Sequence, residues 1–85
     1  MKIYTRAGCG YCTAAIDLLE AKGIAYEEID LTGNTEGRRW LAQASGRSTV
    51  PQIFIDGQPI GGYTDLRDLD IAGELDAMLA GSPEA

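Results

Sequence analysis

Apolar and polar positions change their period along this chain in a fixed order. Residues 2–5 read as a strand, and from Cys12 the apolar residues Cys12, Ala15, Ile16 and Leu19 fall at i, i+3, i+4 and i+7. The switch predicts a strand over 2–5 and a helix over 11–22 that stops at Gly23. Ile24 to Leu31 alternates apolar with acidic residues loosely enough for a second strand, and Thr35 to Ala44 is a shorter, more polar helix closed near Gly46. Strand, helix, strand implies a parallel pair with a right-handed crossover. A third strand is expected over Pro51–Ile55, a turn at Asp56-Gly57, and a short fourth strand over Gln58–Gly61 paired as a hairpin. Pro59 suits an edge strand, where a missing N–H costs no ladder bond. From Thr64 or Asp65, read as the N-cap, the pattern is helical to Leu79. It shifts phase at Gly73, with Leu66 and Leu69 before and Leu75, Met78 and Leu79 after, which predicts two short helices or one kinked helix. Residues 1–80 are expected to be a single α/β domain, a four-stranded mixed sheet flanked by helices, with 81–85 as a flexible tail.

Length and charge narrow the function. A chain of 85 residues is one small domain with little stability to spare. The apolar run after Met1 is too short for a signal segment, and no stretch reaches membrane-spanning length, so a soluble, cytoplasmic protein is expected. A net charge of −6 argues against nucleic-acid and anionic-membrane partners. The charge is unevenly spread: Asp65, Asp68, Asp70, Glu74, Asp76 and Glu84 face only Arg67 after residue 64, whereas Arg6, Arg38, Arg39 and Arg47 lie earlier.

The chemistry lies in the two cysteines, Cys9 and Cys12, separated by Gly10-Tyr11. Cys9 precedes a helix, where unpaired backbone N–H groups and the positive end of the macrodipole favour a thiolate, the form that attacks. Cys12 lies one turn on, within reach of a short disulfide. As a structural staple so small a loop would contribute only about 2 kcal/mol. A zinc site lacks ligands, because the chain has no histidine and no second cysteine pair, and Thr13 stands where c-type haem attachment needs histidine. In a reducing cytosol a lone CxxC is more often catalytic or metal-binding than structural.

With CxxC opening the first helix of a βαβ unit that leads into a hairpin and a final helix, the chain resembles the thioredoxin fold. The finer pattern is similar to a dithiol glutaredoxin: Tyr4-Thr5-Arg6 before CGYC, then Thr49-Val50-Pro51-Gln52-Ile53-Phe54-Ile55, then Ile60-Gly61-Gly62-Tyr63-Thr64-Asp65-Leu66. The resemblance covers nearly the whole chain. It departs at Gly10, where many dithiol members carry proline (CPYC); monothiol members carry CGFS, and Cys12 keeps this chain in the dithiol class.

That resemblance implies a glutathione site and a cis Val50–Pro51 bond. Glutathione presents two carboxylates, an ammonium and a peptide backbone, so its site needs cations, a carboxylate and free main-chain groups. Arg6 and Arg38 would take the glycine carboxylate, and Thr49-Val50 before Pro51 would pair with the cysteinyl unit. N–H groups around Gly62 and Thr64 would take the γ-glutamyl carboxylate, and Asp65 the ammonium. Gly62 would let the ligand approach closely, and Tyr11 would form a partly exposed wall. Trp40 and Phe54 read as packing residues, and Asp17 and Glu20 as a solvated face.

The expected function is glutathione-dependent thiol–disulfide exchange. Cys9 attacks a glutathionylated or disulfide-containing protein, and glutathione or Cys12 resolves the intermediate. Two alternatives stay open: a thioredoxin-like reductant fed by a flavoprotein reductase, and a carrier in which Cys9 from two chains and two glutathiones ligate a [2Fe–2S] cluster. A monomer is expected, or a dimer if such a cluster bridges two chains.

Overall fold

A computed structural model describes residues 1–80; the tail expected over 81–85 lies outside the described residues. Strands β1 (Lys2–Thr5), β2 (Glu27–Asp30), β3 (Gln52–Ile55) and β4 (Gln58–Gly61) alternate with helices α1 (Gly10–Ala21), α2 (Thr35–Ser45), α3 (Tyr63–Ile71) and α4 (Glu74–Ala80). The sheet order is β2-β1-β3-β4, with β1 parallel to β2, antiparallel to β3, and β3 antiparallel to β4. This is the mixed four-stranded sheet expected, with Pro59 on edge strand β4.

Alternation along the two central strands builds two cores. Ile3, Ile53 and Ile55 pack with Ala15 and Leu19 of α1, Leu66 of α3 and Leu75 of α4. The intervening residues, Tyr4 and Phe54, join Leu31 and Leu41 of α2 in a second cluster. Burial of both faces explains why every residue of β3 is buried, as a central strand requires. Trp40 stacks on Phe54 with ring centroids 6.2 Å apart, yet stays 49% exposed, so it roofs the second cluster rather than filling it.

Three boundaries differ from expectation for local reasons. Strand β2 begins at Glu27 rather than Ile24, because the Ile24 N–H donates to the Leu19 carbonyl (2.9 Å) and closes the end of α1 around Gly23, whose φ is +68°. Helix α1 starts at Gly10 because Cys9 itself is the N-cap. At α3 the N-cap is Gly62, not Thr64 or Asp65; Asp65 is the third helical residue and its carboxylate reaches back to the Gly62 N–H (2.9 Å). The phase shift at Gly73 is a true break between α3 and α4, with Gly73 at φ +75°.

Candidate active site

The site forms where the starts of α1 and α3 meet the loop before β3. Cys9 is extended (φ −95°, ψ 106°), and its sulfur accepts the Cys12 N–H at 3.2 Å, occupying the place of an N-cap oxygen. The first turn of α1 holds no acidic side chain, so no carboxylate competes for its free N–H groups. The Cys9 thiol also donates to the Val50 carbonyl at 3.6 Å, which ties the sulfur to the loop.

Cys12 has a different environment. It is 4% exposed, and burial, followed by its hydrogen bond with Cys9, pushes its thiol up to about 12. At neutral pH Cys12 is a protonated thiol. The helix position that the two cysteines share by sequence is therefore split by packing into an accessible sulfur and a buried one.

Two adjoining clefts share Tyr11, Arg47, Thr49 and Val50, and Cys9 lines the first. The first, of about 350 Å³, is lined by Arg6, Cys9, Tyr11, Arg38, Arg47, Thr49 and Val50, among others. The second, about 320 Å³, runs from Tyr11, Thr49, Val50 and Pro51 to Gly62, Tyr63, Thr64 and Asp65. Every groove residue expected from the sequence lines one cleft or the other; Cys12 lies behind them. A larger hollow of about 820 Å³ beside Tyr4, Trp40 and Phe54 is lined by neither cysteine, so the chemistry lies elsewhere.

The groove walls are held by identifiable bonds. The Val50–Pro51 bond is cis. Buried Gln52 donates to the Thr49 carbonyl at 2.9 Å and fixes the loop beside Cys9. Tyr11, 66% exposed, stacks on Tyr63 with centroids 6.1 Å apart, joining the two helix starts. Gly62 is confined from within as well: a Cβ there would lie 3.2 Å from the Pro51 carbonyl oxygen, tight enough to push the loop. A side chain at Gly61, where φ is +115°, would collide with the Asp65 carboxylate.

Charge in the groove runs against the charge of the chain. Arg6, Arg38 and Arg47 converge on the cleft beside Cys9 in a protein of net charge −6. The Arg38 Nε is buried and has no hydrogen-bond partner among the described residues, a donor suited to an anion. Arg47 is the site residue that the sequence reading left out. Its guanidinium donates to Asp65 Oδ2 at 2.8 Å, and this bond, with the Gly62 N–H, holds the Asp65 carboxyl below the usual carboxylate range. The only signal was its place two residues before Thr49. Gln52, which follows Pro51 directly, likewise carries no sequence signal for its bond to Thr49.

A CxxC pair at the start of α1, on a four-stranded mixed sheet flanked by helices, defines a thiol–disulfide oxidoreductase of the thioredoxin fold. The glutaredoxin family model matches residues 1–60, and the chain belongs to that family. It is 48% identical to glutaredoxin 3 of Escherichia coli over 79 residues, covering 93% of this chain and 95% of the relative. It is 47% identical to a glutaredoxin of Pseudomonas aeruginosa over 78 residues, covering 92% and 93%. Among solved structures it is similar to a buckwheat glutaredoxin–glutathione complex (TM-score 0.85, 32% identity, 93% of this chain and 74% of that one). The solution structure of a glutaredoxin from Brucella melitensis is also close (TM-score 0.82, 46% identity, 92% and 85%). Among the described residues, no helix is long and apolar enough to cross a membrane.

Proposed function

We propose that this glutaredoxin uses glutathione as its reductant in the cytoplasm, reducing glutathione mixed disulfides and protein disulfides through Cys9. The observation that carries the reading is that Cys9 lines a cleft that continues, through Tyr11, Arg47, Thr49 and Val50, into a second one bordered by the start of α3. Arg6 and Arg38 line only the first, the Asp65 carboxylate and the first residues of α3 border only the second, and Arg47 reaches both. Arg6 and Arg38 take the glycine carboxylate, the Val50 main chain takes the cysteinyl unit, and the α3 start with Thr64 and Asp65 takes the γ-glutamyl end. A ligand so laid brings its sulfur to Cys9.

In the first step the Cys9 thiolate attacks the glutathione sulfur of a mixed disulfide; the old S–S bond breaks and the protein thiolate leaves. A second glutathione then attacks the Cys9–glutathione disulfide, releasing glutathione disulfide and restoring Cys9. For a protein disulfide, Cys9 attacks one sulfur and the other leaves as a thiolate; Cys12, after losing its proton, attacks the Cys9 sulfur and releases the second protein thiolate, and two glutathiones then reduce the Cys9–Cys12 bond and leave as glutathione disulfide. Steady-state reduction of a small glutathione mixed disulfide, with glutathione as sole reductant, tests the proposal. Turnover is expected, saturable in glutathione, and turnover only with a flavoprotein reductase would sink the reading.

The cluster alternative has a narrower footing. No group of three or more His, Cys, Asp or Glu side chains converges among the described residues, so the cluster reading draws its further ligands from glutathione and a second chain. With Cys12 buried, Cys9 is the thiolate a second chain would have to share. Anaerobic reconstitution with iron, sulfide and glutathione distinguishes the readings: a brown dimer supports the cluster, and a colourless monomer with active Cys9 counts against it.

A further inference from the structure

Arg47 occupies a carboxylate that the glutathione reading assigns to the ligand. Its guanidinium lies 2.8 Å from Asp65 Oδ2, the same oxygen that accepts the Gly62 N–H at 2.9 Å. The two side chains are about half open to solvent (53% and 40%), so the pair faces the groove and is not sealed inside the protein. Arg47 lines both clefts and Asp65 only the second. The arginine therefore bridges from the Cys9 side to the start of α3.

The consequence is electrostatic. A free Asp65 would present a full negative charge to an incoming ammonium. Paired with Arg47 it presents a dipole of no net charge, and an ammonium must share the carboxylate with a guanidinium already bonded to it. An incoming carboxylate meets the reverse situation. It finds the guanidinium, together with the first amides of α3, where Tyr63 and Thr64 have no intrahelical acceptor for their N–H groups. The subsite is thus biased toward the carboxylate of a γ-glutamyl group and away from its ammonium.

We propose that Arg47 is a specificity-determining residue: by neutralising Asp65 it makes the enzyme tolerant of thiols that keep the γ-glutamyl carboxylate position but lack the α-ammonium. This inference rests on the glutathione reading above and deepens it. The substrates it admits are glutathione-like peptides with a blocked or missing amine. Removing the arginine charge frees Asp65 and restores demand for the ammonium, while lysine, which keeps the charge, maintains tolerance.

The test uses two mixed disulfides with 2-nitro-5-thiobenzoate, one of glutathione and one of its desamino analogue, glutaryl-cysteinyl-glycine. In each the Cys9 thiolate attacks the peptide sulfur, a Cys9–peptide disulfide forms, the original S–S bond breaks, and the coloured thiolate leaves with the electron pair. Single-turnover rates of coloured-thiolate release are measured against disulfide concentration for pre-reduced wild type, R47Q and R47K, so that no added reductant is needed. Wild type is expected to handle the two within about threefold, R47Q to favour glutathione by tenfold or more through half-saturation rather than limiting rate, and R47K to resemble wild type. A rise in discrimination from wild type to R47Q smaller than fivefold overturns the proposal. So does a rise in R47K as large as that in R47Q, because the charge would then not be the cause. Failure of wild type to act on the glutathione substrate would instead sink the glutathione reading, which separates the two claims.

Discussion

The starts of α1 and α3 face one groove and solve the same problem in opposite ways. Each leaves free N–H groups that need an acceptor. At α1 the acceptor is the Cys9 sulfur, with no acid in the first turn. At α3 the N-cap is Gly62, which has no side chain, so Asp65 reaches back from the third helical position and Arg47 neutralises it. One terminus keeps its positive end for a sulfur, and the other meets a carboxylate already paired with a loop arginine. Under the proposed function the first reacts and the second holds.

The largest break in that contrast comes from removing the reactive acceptor. Cys9→Ser should lower both mixed-disulfide and protein-disulfide reduction by on the order of 10³-fold or more, since a hydroxyl is a far weaker nucleophile than a thiolate. Activity of this variant above background in either assay would place the nucleophile elsewhere.

Next in size is the buried partner. Cys12→Ser should keep mixed-disulfide reduction within about threefold while protein-disulfide reduction falls by at least about tenfold, because only the second route needs a resolving thiol. An equal loss in both assays would show that Cys12 supports the loop rather than the chemistry.

The holding terminus should give a smaller, different signature. Asp65→Asn removes the charge that pairs with Arg47 and weakens the bond to Gly62, a loss of about 0–1 kcal/mol for contacts this exposed. Glutathione half-saturation should rise while the limiting rate changes little. A fall in limiting rate alone would move Asp65 out of the binding end.

The two thiols also predict a pH effect on stability. Cys12 titrates at about 12 when folded, against 9.0 for an ordinary cysteine, so between those values the unfolded chain has lost a proton that the folded one keeps. Its contribution is complete below pH 9 and lost as pH rises toward 12. Melting temperatures of the reduced protein should therefore fall more steeply across pH 9–11 than those of Cys12→Ser. Parallel curves would mean that burial does not raise this thiol.

The smallest effect concerns stability at α3. The Arg47–Asp65 pair is exposed and should be worth only about 0–1 kcal/mol, decreasing with salt. R47Q should shift the denaturant midpoint slightly and alter specificity strongly; a large loss of stability would make the pair structural.

Much of this architecture was legible because it rests on local rules. Helical spacing from Cys12, the stop at Gly23, the hairpin turn at Asp56-Gly57 and the break at Gly73 are dictated by side-chain period and by glycine's access to positive φ. The motif residues of the groove were legible for another reason: each sits in a segment whose order along the chain resembles a family pattern. The N-cap of α3 was misplaced because Thr64 has the usual capping side chain, whereas the fold uses a glycine crowded by the Pro51 carbonyl and lets Asp65 cap from inside the helix.

The sequence by itself determined the elements, their order, the single CxxC pair and the acidic balance of the chain, because these follow from spacing and composition. Only the tertiary structure decided that Cys12 is sealed and protonated while Cys9 is half-buried at the edge of a cleft, since desolvation depends on what packs over a sulfur and not on its motif. It also decided that Arg47, eighteen residues from Asp65, reaches that carboxylate. A salt bridge between a loop and a helix start has no period and no local signal, and it exists only once β3 and β4 have brought the two together.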